Sequence, residues 1–178
     1  GALPGGIWVG NPVRREIAEL PDPAERYGVR QGPLHILVLG GSQGARVLNQ
    51  VVPEAMAELT PDQRPKLLHQ CGRDRAQELF ARYRELGIEA DVREFIEDMA
   101  AAYYEADLVV CRAGAMTVAE ICAVGLAAVL VPYPYAAGNH QKINAQYLVS
   151  QGAAIALEES EFSANLLALT VRKFQDDR

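Results

Sequence analysis

Apolar and polar positions along this chain follow two periods in turn. Short apolar runs at 34–39, 66–71, 90–95, 108–111, 127–131 and 153–157 are bounded by Gly, Pro or polar residues and read as strands. Between them lie longer stretches whose apolar residues recur every three or four positions, the spacing of a helix with one buried face. A helix is predicted over 12–20, with Asn11 as its cap, Pro12 in its first turn, and Pro21 and Pro23 ending it. A second carries Val47, Leu48, Val51 and Val52, and Pro53 should kink or restart it before Met56. Further helices are predicted over 74–86, closed by Gly87, over 98–104 with Asp98 as cap, and over 140–151 with Asn139 as cap. A last helix covers 163–174, and Ile7-Trp8-Val9 reads as a short extended piece.

Strands that alternate with helices in this way predict an α/β domain, a Rossmann-like parallel sheet of about six strands with helices on both faces. Right-handed crossovers then place the carboxyl end of every strand on one edge of the sheet. Four loops should converge there, at 40–45, 95–99, 112–120 and 132–144. Any ligand chemistry is expected among them.

The stretch 108–125 is the most informative. The run Leu108-Val109-Val110-Cys111 has the pattern of a strand covered on both faces, and Arg112-Ala113-Gly114-Ala115 follows with little bulk beyond the arginine. A helix then carries Val118, Ile121, Cys122 and Gly125 on one face. Its start offers unpaired N–H groups and a positive dipole end, which suit a phosphate. Glu120 lies one turn in, where a carboxylate can accept from sugar hydroxyls. Thr117-Val118-Ala119-Glu120 equally fits a capping box, which needs no ligand. Gly40-Gly41-Ser42-Gln43-Gly44 has neither the dinucleotide spacing nor the Lys of a P-loop, so a tight turn and a phosphate cradle both remain open.

Composition narrows the classes. A hydrophobic fraction of 49% with no apolar run near the roughly 20 residues of a membrane span describes one globular domain. The net charge of −6 argues against a nucleic-acid partner, which needs a basic face. Cys71, Cys111 and Cys122 have no metal-ligand spacing and read as reduced core cysteines of a cytosolic protein. The opening Gly1-Ala2-Leu3-Pro4-Gly5-Gly6 has neither Met nor signal features, which suggests a piece of a longer protein. Arg14 suits a phosphate but also a solvated helix face, His35 and His69 suit satisfied core or surface positions, and Tyr103 and Tyr104 suit packing. His140 and Gln141 begin a helix beside a proline-rich loop, where either can meet a ligand or cap. Neither a catalytic triad nor a metal cluster can be assembled from the spacing.

Five motifs in order carry a resemblance. They are Gly10-Asn11-Pro12-Val13-Arg14, Gly40-Gly41-Ser42-Gln43-Gly44-Ala45, Phe95-Ile96-Glu97-Asp98-Met99, the run from Arg112 to Glu120, and His140-Gln141-x-x-Asn144-Ala145. Together they resemble the carboxyl-terminal half of the MurG family of bacterial N-acetylglucosaminyltransferases (glycosyltransferase family 28), over nearly the whole chain. The resemblance implies one half of a GT-B enzyme, with residues 1–178 as the UDP-sugar domain and the amino-terminal acceptor domain absent. It implies inverting transfer of GlcNAc from UDP-GlcNAc to the MurNAc C4 hydroxyl of lipid I, giving lipid II, with no cofactor and no obligatory metal.

Carried over position by position, Arg14, Ser42 and Gln43 would contact the nucleotide and its phosphates, and Ile96 the uracil. Ala115, Met116 and Thr117 would hold the pyrophosphate, Glu120 the ribose, and Gln141 and Asn144 the sugar. No catalytic residue is expected here, because the general base, the lipid I site and the contact with the cytoplasmic face of the inner membrane would belong to the other domain. The loop 135–139 lacks charged residues often seen there, and Ala127 replaces a common Pro. Three other readings compete. One is a donor-binding subunit of a two-chain UDP-GlcNAc transferase, another a UDP-GlcNAc epimerase of GT-B fold, and the third, disfavoured by the absent fingerprint, a Rossmann dehydrogenase.

Overall fold

The computed structural model describes residues 5, 7, 9–28 and 30–176. Trp8 of the expected extended piece lies outside these residues, as do positions 1–4 and 6. Six strands form one parallel sheet: β1 (His35–Leu39), β2 (Lys66–Gln70), β3 (Asp91–Arg93), β4 (Leu108–Cys111), β5 (Ala127–Leu130) and β6 (Ala154–Ala156). Their order across the sheet is β3-β2-β1-β4-β5-β6, and every neighbouring pair is parallel. The chain winds outward from β1 in one direction and from β4 in the other. The crevice between those two strands is therefore the switch point, where open α/β sheets bind ligands.

Side-chain alternation explains the layers. Ile36 and Val38 of β1, Leu108 and Val110 of β4 and Val129 of β5 enter one core with Leu48, Val52 and Met56. The intervening Leu37, Leu39, Val109, Cys111 and Leu130 enter a second core on the other face with Tyr103, Ile121 and Val124. Helices α3 (Arg46–Ala57), α4 (Ala76–Glu85) and α8 (Ala164–Asp176) cover the first face. Helices α1 (Arg15–Ala18), α5 (Met99–Glu105), α6 (Ala115–Val124) and α7 (His140–Ser150) cover the second. Continuous apolar strands are thus buried on both sides, as a doubly wound sheet requires.

Several local expectations change. The first helix is a single turn, α1, with Arg14 rather than Asn11 at its cap position; Asn11 instead donates to the Ala115 carbonyl at 3.3 Å. Pro23 does not simply end that helix but opens the short α2 (Pro23–Tyr27), capped by the Asp22 carboxylate on Ala24 N–H at 2.8 Å. Pro53 sits inside an unbroken α3. Asp98 caps α5 as expected, accepting from Ala101 N–H at 2.9 Å. Asn139 precedes α7 in the left-handed region, and its side chain makes no cap bond. Cys71 and Cys111 are core residues, but Cys122 is exposed because α6 buries Val118, Glu120, Ile121 and Val124 instead.

His69 is fully buried in the first core, where burial pushes its pKa down to about 3. The unfolded chain takes up this proton near 6.5 and the folded chain does not. Between those values the unfolded state holds more protons, so stability falls as pH falls. From pH 7 to pH 5 this group alone should remove about 2 kcal/mol. Urea midpoints of the parent and His69→Gln at both pH values test this: the variant, less stable at neutral pH, should lack that increment of pH dependence. Equal pH dependence in both proteins would refute it.

Candidate functional site

The loops after β1 and β4 flank the switch point, and a cleft of about 440 Å³ opens there. Its walls bring together Arg14, Gly40–Gln43, Ile96, Tyr103, Arg112, Thr117, Glu120 and Gln141. All four loops expected to converge contribute to it. Of the ten candidate positions, Arg14, Ser42, Gln43, Ile96, Thr117, Glu120 and Gln141 line the cleft, whereas Ala115, Met116 and Asn144 do not. Met116 points out, 46% exposed. Asn144 holds the loop after β4, donating from Nδ2 to the Ala113 carbonyl at 3.0 Å. Gln141 accepts from Tyr133 N–H at 2.9 Å, pinning the loop after β5.

Gly114 in extended conformation is the cap residue of α6, so the helix begins at Ala115. Val118 N–H is the first amide bonded within the helix, to the Gly114 carbonyl at 2.9 Å. The three preceding amides, of Ala115, Met116 and Thr117, have no carbonyl one turn back inside the helix. Of this helix start, Gly114 and Thr117 line the cleft, and the dipole gives it a positive end without a charged residue. This start also overturns the capping-box alternative, because Thr117 lies within the first turn and Glu120 a full turn beyond it.

Glu120 is 7% exposed and serves a different pairing. Its Oε1 accepts from Arg14 Nε at 3.1 Å and Nη2 at 2.9 Å, and its Oε2 accepts from the Tyr103 hydroxyl at 3.0 Å. Burial, followed by the neighbouring Glu120 charge, pushes the Tyr103 hydroxyl pKa well above its usual range, so it remains a donor. A carboxylate has about four acceptor positions. Three are taken, and one on Oε2 stays open for a ligand hydroxyl. The expectation that Tyr103 only packs missed this bond; a hydroxyl on the buried face of a helix, which needs a partner, was the available signal.

Arg112 also lines the cleft but works on the loop wall. It donates to the Val131 and Pro132 carbonyls at 3.1 and 3.4 Å, pairs with Glu159 at 2.5 Å and stacks on the Tyr133 ring. Among the described residues, no cluster of three or more His, Cys, Asp or Glu side chains is placed to hold a metal ion, and no helix is long and apolar enough to cross a membrane.

Residues 35–178 match the Glycosyltransferase family 28 C-terminal domain. The chain is 52% identical over 170 residues to the UDP-N-acetylglucosamine--N-acetylmuramyl-(pentapeptide) pyrophosphoryl-undecaprenol N-acetylglucosamine transferase of Cupriavidus metallidurans, covering 96% of this chain and 48% of that one. It is 54% identical over 172 residues to the enzyme of the same name from Burkholderia lata, covering 94% and 47%. The crystal structure of Acinetobacter baumannii MurG superposes with a TM-score of 0.82 at 38% identity, over 89% of this chain and 46% of that one. The glycosyltransferase VinC in complex with DTDP, at 18% identity and a TM-score of 0.59 over 86% of this chain and 36% of that one, shares the fold alone. The chain spans about half the length of the curated relatives it matches. With its sheet order, its switch-point cleft and these matches, the chain belongs to glycosyltransferase family 28, whose carboxyl-terminal domain it matches.

Proposed function

We propose that this chain is the donor-binding half of an inverting N-acetylglucosaminyltransferase that moves GlcNAc from UDP-GlcNAc to the MurNAc C4 hydroxyl of lipid I, forming lipid II for peptidoglycan. The observation that carries this reading is the meeting, at the β1/β4 switch point, of a glycine turn, an open helix amino terminus and the Arg14–Glu120–Tyr103 cluster. A uridine diphosphate has a matching set of groups. Its pyrophosphate suits the amino terminus of α6, where Gly114 and Thr117 line the cleft, with Arg14, Ser42 and Gln43 at its side. Its ribose suits the open position on Glu120, and its uracil suits the backbone of the buried Ile96.

The chemistry follows from charge. Displacement at the anomeric carbon leaves negative charge growing on the departing pyrophosphate. Fixed amides and a helix dipole stabilise that charge without reorganising. Arg14 adds a guanidinium whose Nε and Nη2 are already oriented by Glu120. Inversion also needs a base to deprotonate the acceptor hydroxyl. The reading assigns that base, the lipid I site and attachment to the cytoplasmic face of the inner membrane to the other half of the relatives' length.

Calorimetric titration of the chain with UDP-GlcNAc, UDP-GalNAc and NADH tests the reading. Saturable binding of UDP-GlcNAc is expected, with UDP-GalNAc weaker by about tenfold, the effect of one mispaired buried hydrogen bond. NADH should not bind. Preference for NADH, or no response to any UDP-sugar, would sink the proposal.

A further inference from the structure

We propose that Tyr83 and His69 are positioning residues for the 40–45 loop, acting through Asn49 to set affinity for the diphosphate of the donor without touching it. This inference rests on the donor-binding reading above.

The hydrogen bonds run in one direction. Asn49 donates from Nδ2 to the Cys71 carbonyl at 3.1 Å, which leaves its Oδ1 as an acceptor only. His69 Nε2, 3.1 Å from that oxygen, must then carry the ring proton. Nδ1 is therefore a bare acceptor, and the Tyr83 hydroxyl donates to it at 2.9 Å. His69 and Tyr83 are both fully buried, so each group has only its neighbour in this chain to satisfy it. One element of the first core contributes each member: α4 gives Tyr83, β2 gives His69 and α3 gives Asn49.

The chain ends on the segment that braces the glycine turn. A Cβ on Gly44 would sit 2.2 Å from the Cys71 carbonyl oxygen that Asn49 holds. A Cβ on Gly72 would sit 2.2 Å from Gly44 N. Arg73 N–H donates to the Ser42 carbonyl at 3.4 Å. Two loop backbones are thus in direct contact, and the orientation of one is fixed by a side chain fixed in turn from the core. The buried, satisfied Tyr83–His69 pair holds half-buried Asn49 in one orientation, and a group left unpaired within the network forces a shift.

The test breaks the chain without removing bulk. Asn49→Asp keeps the acceptor toward His69 but faces the Cys71 carbonyl with oxygen in place of a donor, and Tyr83→Phe removes only the first donor. Binding of UDP is measured by calorimetry and of uridine by NMR titration, beside Val171→Ala, a core change in α8 that lowers the urea midpoint without entering the network. Both network variants should weaken UDP by about threefold to tenfold. Uridine, which lacks the diphosphate, should bind them as it binds the parent, and Val171→Ala should leave both ligands unchanged. Equal loss for UDP and uridine, or the same UDP loss in Val171→Ala, would overturn the inference. A parent protein that binds UDP no better than uridine would instead overturn the donor-site reading, and this inference with it.

Discussion

Replacing Glu120 by alanine is expected to weaken UDP-GlcNAc binding by about 10- to 150-fold, the 1.5–3 kcal/mol of charge-assisted hydrogen bonds. Two losses combine. On the proposed reading the ribose loses its acceptor, and Arg14 loses the carboxylate that its Nε and Nη2 bond. Arg14 is partly exposed and water can solvate it, but Tyr103 is fully buried and its hydroxyl would be left without its acceptor. That orphaned group should cost about 1–3 kcal/mol of stability. Glu120→Gln separates the effects, since its amide can satisfy Tyr103 while carrying no charge for Arg14. Its urea midpoint should stay close to the parent's while its affinity falls part of the way. If titration shows Glu120→Ala binding the donor as the parent does, Glu120 is outside the site and the Arg14 pairing is purely structural.

A substitution at Gly72 should be worse than the local strain alone. Gly72 has φ of +88°, and a Cβ there would lie 2.2 Å from Gly44 N and 2.5 Å from Gly44 Cα. Both are backbone atoms, so no side-chain rotamer can relieve the overlap. Gly72→Ala is expected to destabilise the fold by at least about 2 kcal/mol. It should also displace the 40–45 loop and lower donor affinity by about tenfold or more, the loss of at least one charge-assisted hydrogen bond to the diphosphate. Gly41 supplies the control. It too is left-handed, with φ of +77°, yet nothing lies within 4 Å of its would-be Cβ. Gly41→Ala should therefore show the conformational cost alone, about 1–2 kcal/mol. Urea unfolding of the two variants would decide the matter, since Gly41 itself lines the cleft and only its stability serves as a control. A Gly72→Ala protein no worse than Gly41→Ala would mean that the loops do not depend on their close approach.

The sheet was legible because it is built from continuous apolar runs. Leu108–Cys111 is apolar at every position because both faces of β4 are covered, and the expected strand and the observed one coincide. The short elements near the amino terminus were not legible. Asn11-Pro12 is a good local helix start, but Asn11 is used on the Ala115 carbonyl across the fold, and the helix waits until Arg15. Local propensity lost there to a bond 104 residues away in sequence.

The candidate site divides along the same line. Glycine turns after strands, an apolar strand leading into a small-residue loop, and the motifs in their order all lie within short windows, where local backbone rules operate. From these the sequence determined an α/β domain with its ligand chemistry on one edge, and the resemblance to the family. Which carboxylate meets which cation was decided only by tertiary structure. Glu120 fits a capping box in one dimension, yet the extended cap at Gly114 starts α6 too early for that box and leaves the carboxylate facing Arg14 and Tyr103. The Tyr83–His69–Asn49 network likewise joins three separate elements and has no local signature. Periodicity records which face of an element is buried, whereas pairing between buried polar groups depends on how the elements pack against one another.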